Sequence, residues 1–444
     1  MPKHFFPESV KRFHDLLETR KSVPSLGSNI DALKKIAWDY FSSTGIPLHR
    51  RGNELWKYTN LKPLSDTSFT LSSDSDVNVE DIVNEIPWSK DWHNILFING
   101  VYRPDSLGKL DLPPGLSISD FQHNNMWTNF GSLAKPNSGT FAALNTVFVQ
   151  DGISIKIEPN TKIREPINII FVVSEVPRNF ATFPRVYLDV GENSEATMIE
   201  SYISLTSHPI LTIPVVEIEQ HTEAILRHYR IQMENENSFH IGSTRVGQKG
   251  SSKFESSTFA TGPRIGRNDI HVSLNEPDAK CQLHGLYITF GDQQQDNEIS
   301  TTHSKPSCTS GQFYKGILAG KSTAVFSGDI VVEKGAQKSI ADQKDLNLLL
   351  SKGVEIDTKP SLEIFADDVQ CSHGATAGHI DLNSLFYLQS RGLDFNTAKA
   401  MLIRGFADEM IVEFEPTELF EFISGLVDDI IPTLQSQSDT IGTT

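Results

Sequence analysis

The chain has 444 residues, a formal charge of −17, 38% hydrophobic and 21% charged residues, the make-up of a folded globular protein rather than a disordered or fibrous one. Its length exceeds one ordinary domain, so two or three units are expected. The acidic balance speaks against nucleic acid and anionic membrane surfaces, which require basic patches, and no apolar run approaches the ~20 residues of a membrane span.

Residues 1–92 are expected to form a helical region. Val10, Phe13, Leu16 and Leu17 recur at helical spacing, and Ile30, Leu33, Ile36, Ala37, Tyr40 and Phe41 make a second stripe that Gly45 and Pro47 stop. The polar stretch from Leu71 to Asn84 suits a surface loop. The opening residues lack the apolar core of a signal peptide and the acid-poor, Arg-rich pattern of a transit peptide. Cys281, Cys308 and Cys371 are odd in number and widely spaced, which suggests no disulfide framework. A reducing, cytoplasmic setting is the expectation.

Residues 93–375 read as strand. Alternating runs appear at Ile153–Ile157, Arg185–Val190, Val215–Glu219, Asp269–Leu274 and Ala324–Val332, separated by turns such as Pro159-Asn160, Val190-Gly-Glu-Asn193 and Asn275-Glu-Pro-Asp278. Helical interruptions of a βαβ kind are missing from the pattern. So long a run of short strands outgrows a sandwich or barrel, whereas a solenoid adds one coil at a time. The predicted fold is therefore mainly β: a right-handed parallel β-helix between N-terminal and C-terminal helical regions.

Residues 376–444 turn helical again. Asp381 suits an N-cap for a helix with Leu385, Phe386 and Leu388 on its inner face, ending near Arg391-Gly392. A second helix from about Asn396 aligns Ala398, Leu402, Gly405 and Phe406. A third opens at Glu415-Pro416 and carries Leu419, Phe420, Ile423, Leu426 and Val427.

Gly316-Ile-Leu-Ala-Gly320-Lys321-Ser322 imitates a phosphate loop, but it has one residue too few between its glycines and leads into a strand. No nucleotide site is expected on this chain. Cys281 and His284, and His303 and Cys308, lack the paired spacing of a zinc site and read as buried core groups. Cys371 and His373 stand out, because residues two apart share one face of a strand, and a thiolate with a neutral imidazole suits Fe, Zn or Cu(I). Pro360–Asp368 reads as the final strand before them, with His379 and Asp367-Asp368 close in sequence. One Cys-x-His is an incomplete ligand set, so core packing stays open as the alternative. A carbohydrate-cleaving β-helix enzyme would need paired carboxylates such as Asp329, Asp342 and Asp345.

Gln312–Leu350, Cys371-Ser-His-Gly-Ala-Thr376 and Leu385–Gly392 together resemble the SufB/SufD family of iron–sulfur cluster assembly proteins, and Asn53-Glu-Leu-Trp-Lys-Tyr-Thr-Asn-Leu61 resembles the N-terminal region of its SufD branch. The resemblance implies a non-ATPase subunit, without independent catalysis, in a complex with a SufB-like paralogue and the SufC-like ABC ATPase. It implies that iron, or a transient cluster shared with SufB, is handled at the subunit interface with His373 taking part; Cys371 beside it is the second candidate ligand on the residue reading, with packing as its alternative. It also implies ATPase docking on the C-terminal helices around Phe386, Leu402 and Phe406. By alignment, Asp345 stands where the SufB branch carries a cluster-bearing cysteine, and Cys371-Ser-His373 where that branch has Glu-His-Glu. A homodimer without SufB, and a self-sufficient scaffold on this chain alone, remain alternatives.

Overall fold

The computed structural model describes residues 5–19, 28–71, 79–104, 106–107, 110–120, 129–174, 176 and 178–438. Successive strands alternate between a 10-stranded and an 11-stranded sheet, and from Gly152 onward the neighbours along each main path are parallel. The result is a parallel β-solenoid of about 8 turns with helices at both ends, the architecture predicted from the strand pattern. Side-chain alternation sends every second residue inward, and parallel register stacks the same column coil upon coil. Ile155, Leu188, Ile218, Val246 and Val272 form one such inner column, each 2% exposed or less. Each buried aliphatic chain contributes roughly 1.5–3 kcal/mol.

The coils turn at a recurring corner. Asn160, Asn193, Glu223, Ser251, Asp278, Ser307 and Lys338 all have positive φ and follow one another at roughly 30-residue intervals. The Asn193, Glu223, Ser251 and Asp278 N–H groups each donate to a carbonyl of the next corner, which ties the turns into their own ladder. The predicted turns at Asn160, Asn193 and Asp278 fall on this line.

Helices cover the outer faces of the two sheets on opposite sides. At the N-terminal end are α1 (Pro7–Glu18), α2 (Ser28–Thr44), α3 (Lys62–Asp66) and α4 (Val79–Val83). Phe13, Leu16, Ala37 and Phe41 pack toward Leu211, Ile213, Phe239 and Ile265 of the 11-stranded sheet. Of the loop expected over Leu71–Asn84, positions 72–78 lie outside the described residues, and the rest contains α4. The strand region also holds an unexpected helix, α5 (Thr140–Phe148), wedged between α2 and the sheet. Residues 141 to 148 of α5 are all buried.

On the other side, where Ile82 of α4 also packs with Leu96 and Ile170 of the 10-stranded sheet, lie α6 (Leu382–Ser390), α7 (Phe395–Ile411) and α8 (Thr417–Gln437). Asp381 caps α6 by accepting from the Asn383 and Ser384 N–H groups at 3.3 and 2.9 Å, and Asp394 caps α7 in the same way. Ala398, Ile403, Ala407, Leu419, Ile423 and Val427 cover Ile199, Phe259, Leu286 and Ile317 of the 10-stranded sheet. The expected inner face of α6 needs one correction: Leu385 is buried, but Phe386 points outward at 72% exposed. Its helical neighbour Leu385 has already taken the position over the sheet. Among the described residues no helix is long and apolar enough to cross a membrane.

Candidate functional site

Glu355–Ile364 and Gln370–Gly378 are the last strands of their sheets, so each has a neighbour on one side only. The final strand is Gln370–Gly378; the Pro360–Asp368 segment expected in that place splits between the preceding strand and a turn. Its composition, Gln-Cys-Ser-His-Gly-Ala-Thr-Ala-Gly, has little β-branched character to signal a strand. No residue of either strand is fully buried, whereas Ala341, Gln343 and Asp345 one coil earlier are. The solenoid is open at this end.

Cys371 and His373 terminate two inner columns. Cys371 follows Ala196, Leu226, Phe254, Cys281, Ser310 and Ala341. His373 follows Met198, His228, Ser256, Leu283, Gln312 and Gln343. Cys371 is half-buried against Ala341, Ile330 and Leu362. Burial pushes its thiol up from the ordinary value, partly offset by a hydrogen bond from the Ala341 backbone. His373 is exposed at the mouth of the coil. In the next inner column, after Tyr314 and beneath Ala375, Asp345 lies fully buried, its carboxyl pushed up to about 6 by burial, opposed by a 2.8 Å hydrogen bond from Asn347 Nδ2.

The other candidates lie elsewhere. His379 sits past the far end of the strand, its Nδ1 2.8 Å from the Leu349 carbonyl oxygen. Asp367 and Asp368 occupy the exposed turn before Gln370. Cys281 and Cys308 are buried, their thiols pushed up by burial. His303 is bonded to Ser310 Oγ at 2.7 Å, and burial depresses it to about 4. His284 pairs with Glu413 at 3.0 Å on the outer face, beneath the helices. Asp329 and Asp342 lie on the outer faces of different sheets and Asp345 lies inside, so these three acids form no pair. Gly316–Ser322 ends a strand and turns directly into Thr323–Val332, with Gly320 at φ +72°. Among the described residues no group of three or more His, Cys, Asp or Glu gathers as a metal site.

Phe386, Leu402 and Phe406 lie along α6 and α7. Phe386 is free on the surface with Leu382 and Tyr387, while Leu402 and Phe406 are half-buried and line a pocket of about 300 Å³ with His379, Thr376 and Asp381. Sequence reasoning passed over Gln343 and Lys315, both buried polar groups whose placement depends on which coil they stack in. Only the roughly 30-residue stacking interval would have revealed them.

The SufBD core domain model of the SUF system for FeS cluster assembly matches residues 171–406, and the SufBD N-terminal region model matches 8–169. The chain belongs to the SufBD family. An iron–sulfur cluster assembly SufBD family protein of Synechocystis sp. is 30% identical over 347 residues, 74% of this chain and 75% of the relative. Arabidopsis thaliana protein ABCI7, chloroplastic, is 29% identical over 426 residues, covering 93% and 88% of the two chains. The iron–sulfur cluster assembly protein SufD of Escherichia coli is 28% identical over 364 residues, covering 80% and 81%. The SufBD core match thus runs from residue 171, just after the solenoid's first strands, into α7, and includes the open coil and its Cys371–His373 pair.

Proposed function

We propose that this SufBD-family chain is a SufD-like, non-ATPase subunit of an iron–sulfur cluster assembly complex, and that its last coil meets the equivalent coil of a SufB-like paralogue. The observation that carries this reading is the uncapped coil end. Unpaired edge strands recruit other strands, and a partner's last coil would satisfy the open backbone groups and cover the exposed lumen. His373, with Cys371 behind it, would then face the partner across the junction. Two donors are an incomplete set, so iron or a nascent cluster would be cargo held jointly, its remaining ligands coming from the partner.

The apolar surface of α6 and the half-buried Leu402 and Phe406 are the proposed docking site for a SufC-like ABC ATPase. Nucleotide-driven movement of that partner would be transmitted to the coil junction as coupling between two sites. A self-sufficient scaffold has less support, because among the described residues no third donor joins Cys371 and His373. Co-expression with a SufB-like protein and an ABC-type ATPase, followed by purification and iron and sulfide analysis, tests the assignment. A three-chain complex carrying iron and sulfide is the expected result. A chain that purifies alone, with its partners assembling clusters equally well without it, would sink the proposal.

A further inference from the structure

A directional ladder of amides runs up the lumen to the open end. Gln312 Nε2 donates to Thr301 Oγ1 at 3.1 Å and reaches the Asp329 carbonyl at 3.5 Å, which fixes Gln312 Oε1 as the acceptor above. Gln343 Nε2 donates to that oxygen at 2.6 Å. Gln343 Oε1 is then left over: it is buried and has no hydrogen-bond partner. The Gln343 amide occupies a space kept clear from the opposite sheet by Gly328, where an added methyl would fall 1.9 Å from Nε2. The residue stacked on Gln343 in the terminal coil, on the same inward face, is His373.

A buried acceptor without a donor is destabilising, so an imidazole one rung above has reason to turn inward. We propose that Gln343 is a positioning residue for His373: its Oε1 accepts the N–H of one ring nitrogen, fixes the tautomer, and leaves the other nitrogen bare toward the coil mouth. This is the orientation that a metal-binding imidazole needs, its far N–H anchored by a polar neighbour. The inference rests on the reading of His373 as the group offered to iron, and deepens it by naming what aims the ring.

The test uses the full chain with ¹⁵N-labelled histidine, the His373 ring signals being identified by their loss in His373→Ala. In the native protein a single neutral tautomer is expected, protonated on one nitrogen. Gln343→Met removes the acceptor and averages the two ring nitrogens, whereas Gln343→Glu keeps an acceptor and keeps the single tautomer. Gly328→Ala, which displaces the amide from the other side, reproduces the Gln343→Met result without altering the column and serves if Gln343→Met does not fold. Unchanged His373 ring shifts in the folded Gln343→Met or Gly328→Ala protein overturn the proposal. Failure of the assembly reading shows separately, as cluster formation undiminished by His373→Ala, and leaves this measurement intact.

Discussion

Lys315 and Phe406 are joined twice: the Lys315 ammonium lies 4.3 Å from the centroid of the Phe406 ring and donates to the same residue's carbonyl oxygen at 3.1 Å. Lys315 stands in an outer column after Ile231, Phe259 and Leu286, all covered by the C-terminal helices, and its charge is met there by Glu409. It thereby pins α7 to the solenoid. Lys315→Met should cost about 1–2 kcal/mol and lower the melting temperature by a few degrees. Hydrogen exchange should quicken in α7 and stay unchanged in the inner strands.

His373→Ala should leave the assembled complex intact, while iron and sulfide bound to it fall by roughly tenfold or more. Cys371→Ser should cost less, because burial pushes the half-buried thiol up and disfavours the thiolate. Metal and sulfide analysis of the purified complexes separates the two. Equal loads in all three proteins would remove both residues from cluster assembly.

Backbone direction identifies a substitution that blocks the edge alone. The Gln370 N–H donates to Ser339, so even-numbered residues of the last strand bond inward to the sheet and odd-numbered ones present their N–H to the open side. Ala375→Pro therefore removes an edge donor without breaking an existing ladder bond, and proline is tolerated on edge strands. Affinity for the proposed SufB-like partner is expected to drop at least roughly tenfold, the equivalent of about 1.4 kcal/mol, with the melting temperature of the isolated chain nearly unchanged. Binding measured by calorimetry checks it.

Asp345 sets a pH dependence of stability. Its folded value of about 6 exceeds the ordinary 3.8, so the fold favours the protonated acid. The stabilisation is full below pH 4 and is lost as pH rises through 6, amounting to about 3 kcal/mol. Asp345→Asn removes this dependence. The loss of melting temperature between pH 4 and 7 should be smaller in the variant than in the parent protein.

Glu217 is fully buried, 2.5 Å from Arg185 Nη2, and also accepts the backbone N–H groups of Gly131, Leu133 and Ala134. Glu217→Ala strands a buried guanidinium and frees the loop before α5. Destabilisation of about 3–5 kcal/mol is expected in denaturant titration.

What could be read from the residues follows from how local each signal is. Alternating strands such as Arg185–Val190, and the cap at Asp381, depend on neighbours in sequence and were legible. Helix α5 was not: Phe-Ala-Ala-Leu-Asn-Thr-Val-Phe is buried on all sides, so it carries no amphipathic stripe, and its cap position is Gly139. The corners at Glu223 and Lys338 adopt positive φ in residue types that seldom mark a turn, because the coil above and below holds them. At the candidate site, the Cys371–His373 spacing announced a shared face. That this face ends a column over Gln343 depends on contacts about 30 residues away, beyond any local pattern.

The corner ladder has an evolutionary corollary. Because every layer touches only the one before and the one after, a whole layer can be gained or lost in mid-rod without redrawing either tip. Such an event shifts the tip by about 4.8 Å and leaves its chemistry alone. Reach and reactivity are thus separately adjustable, and relatives of unequal length can keep matching ends.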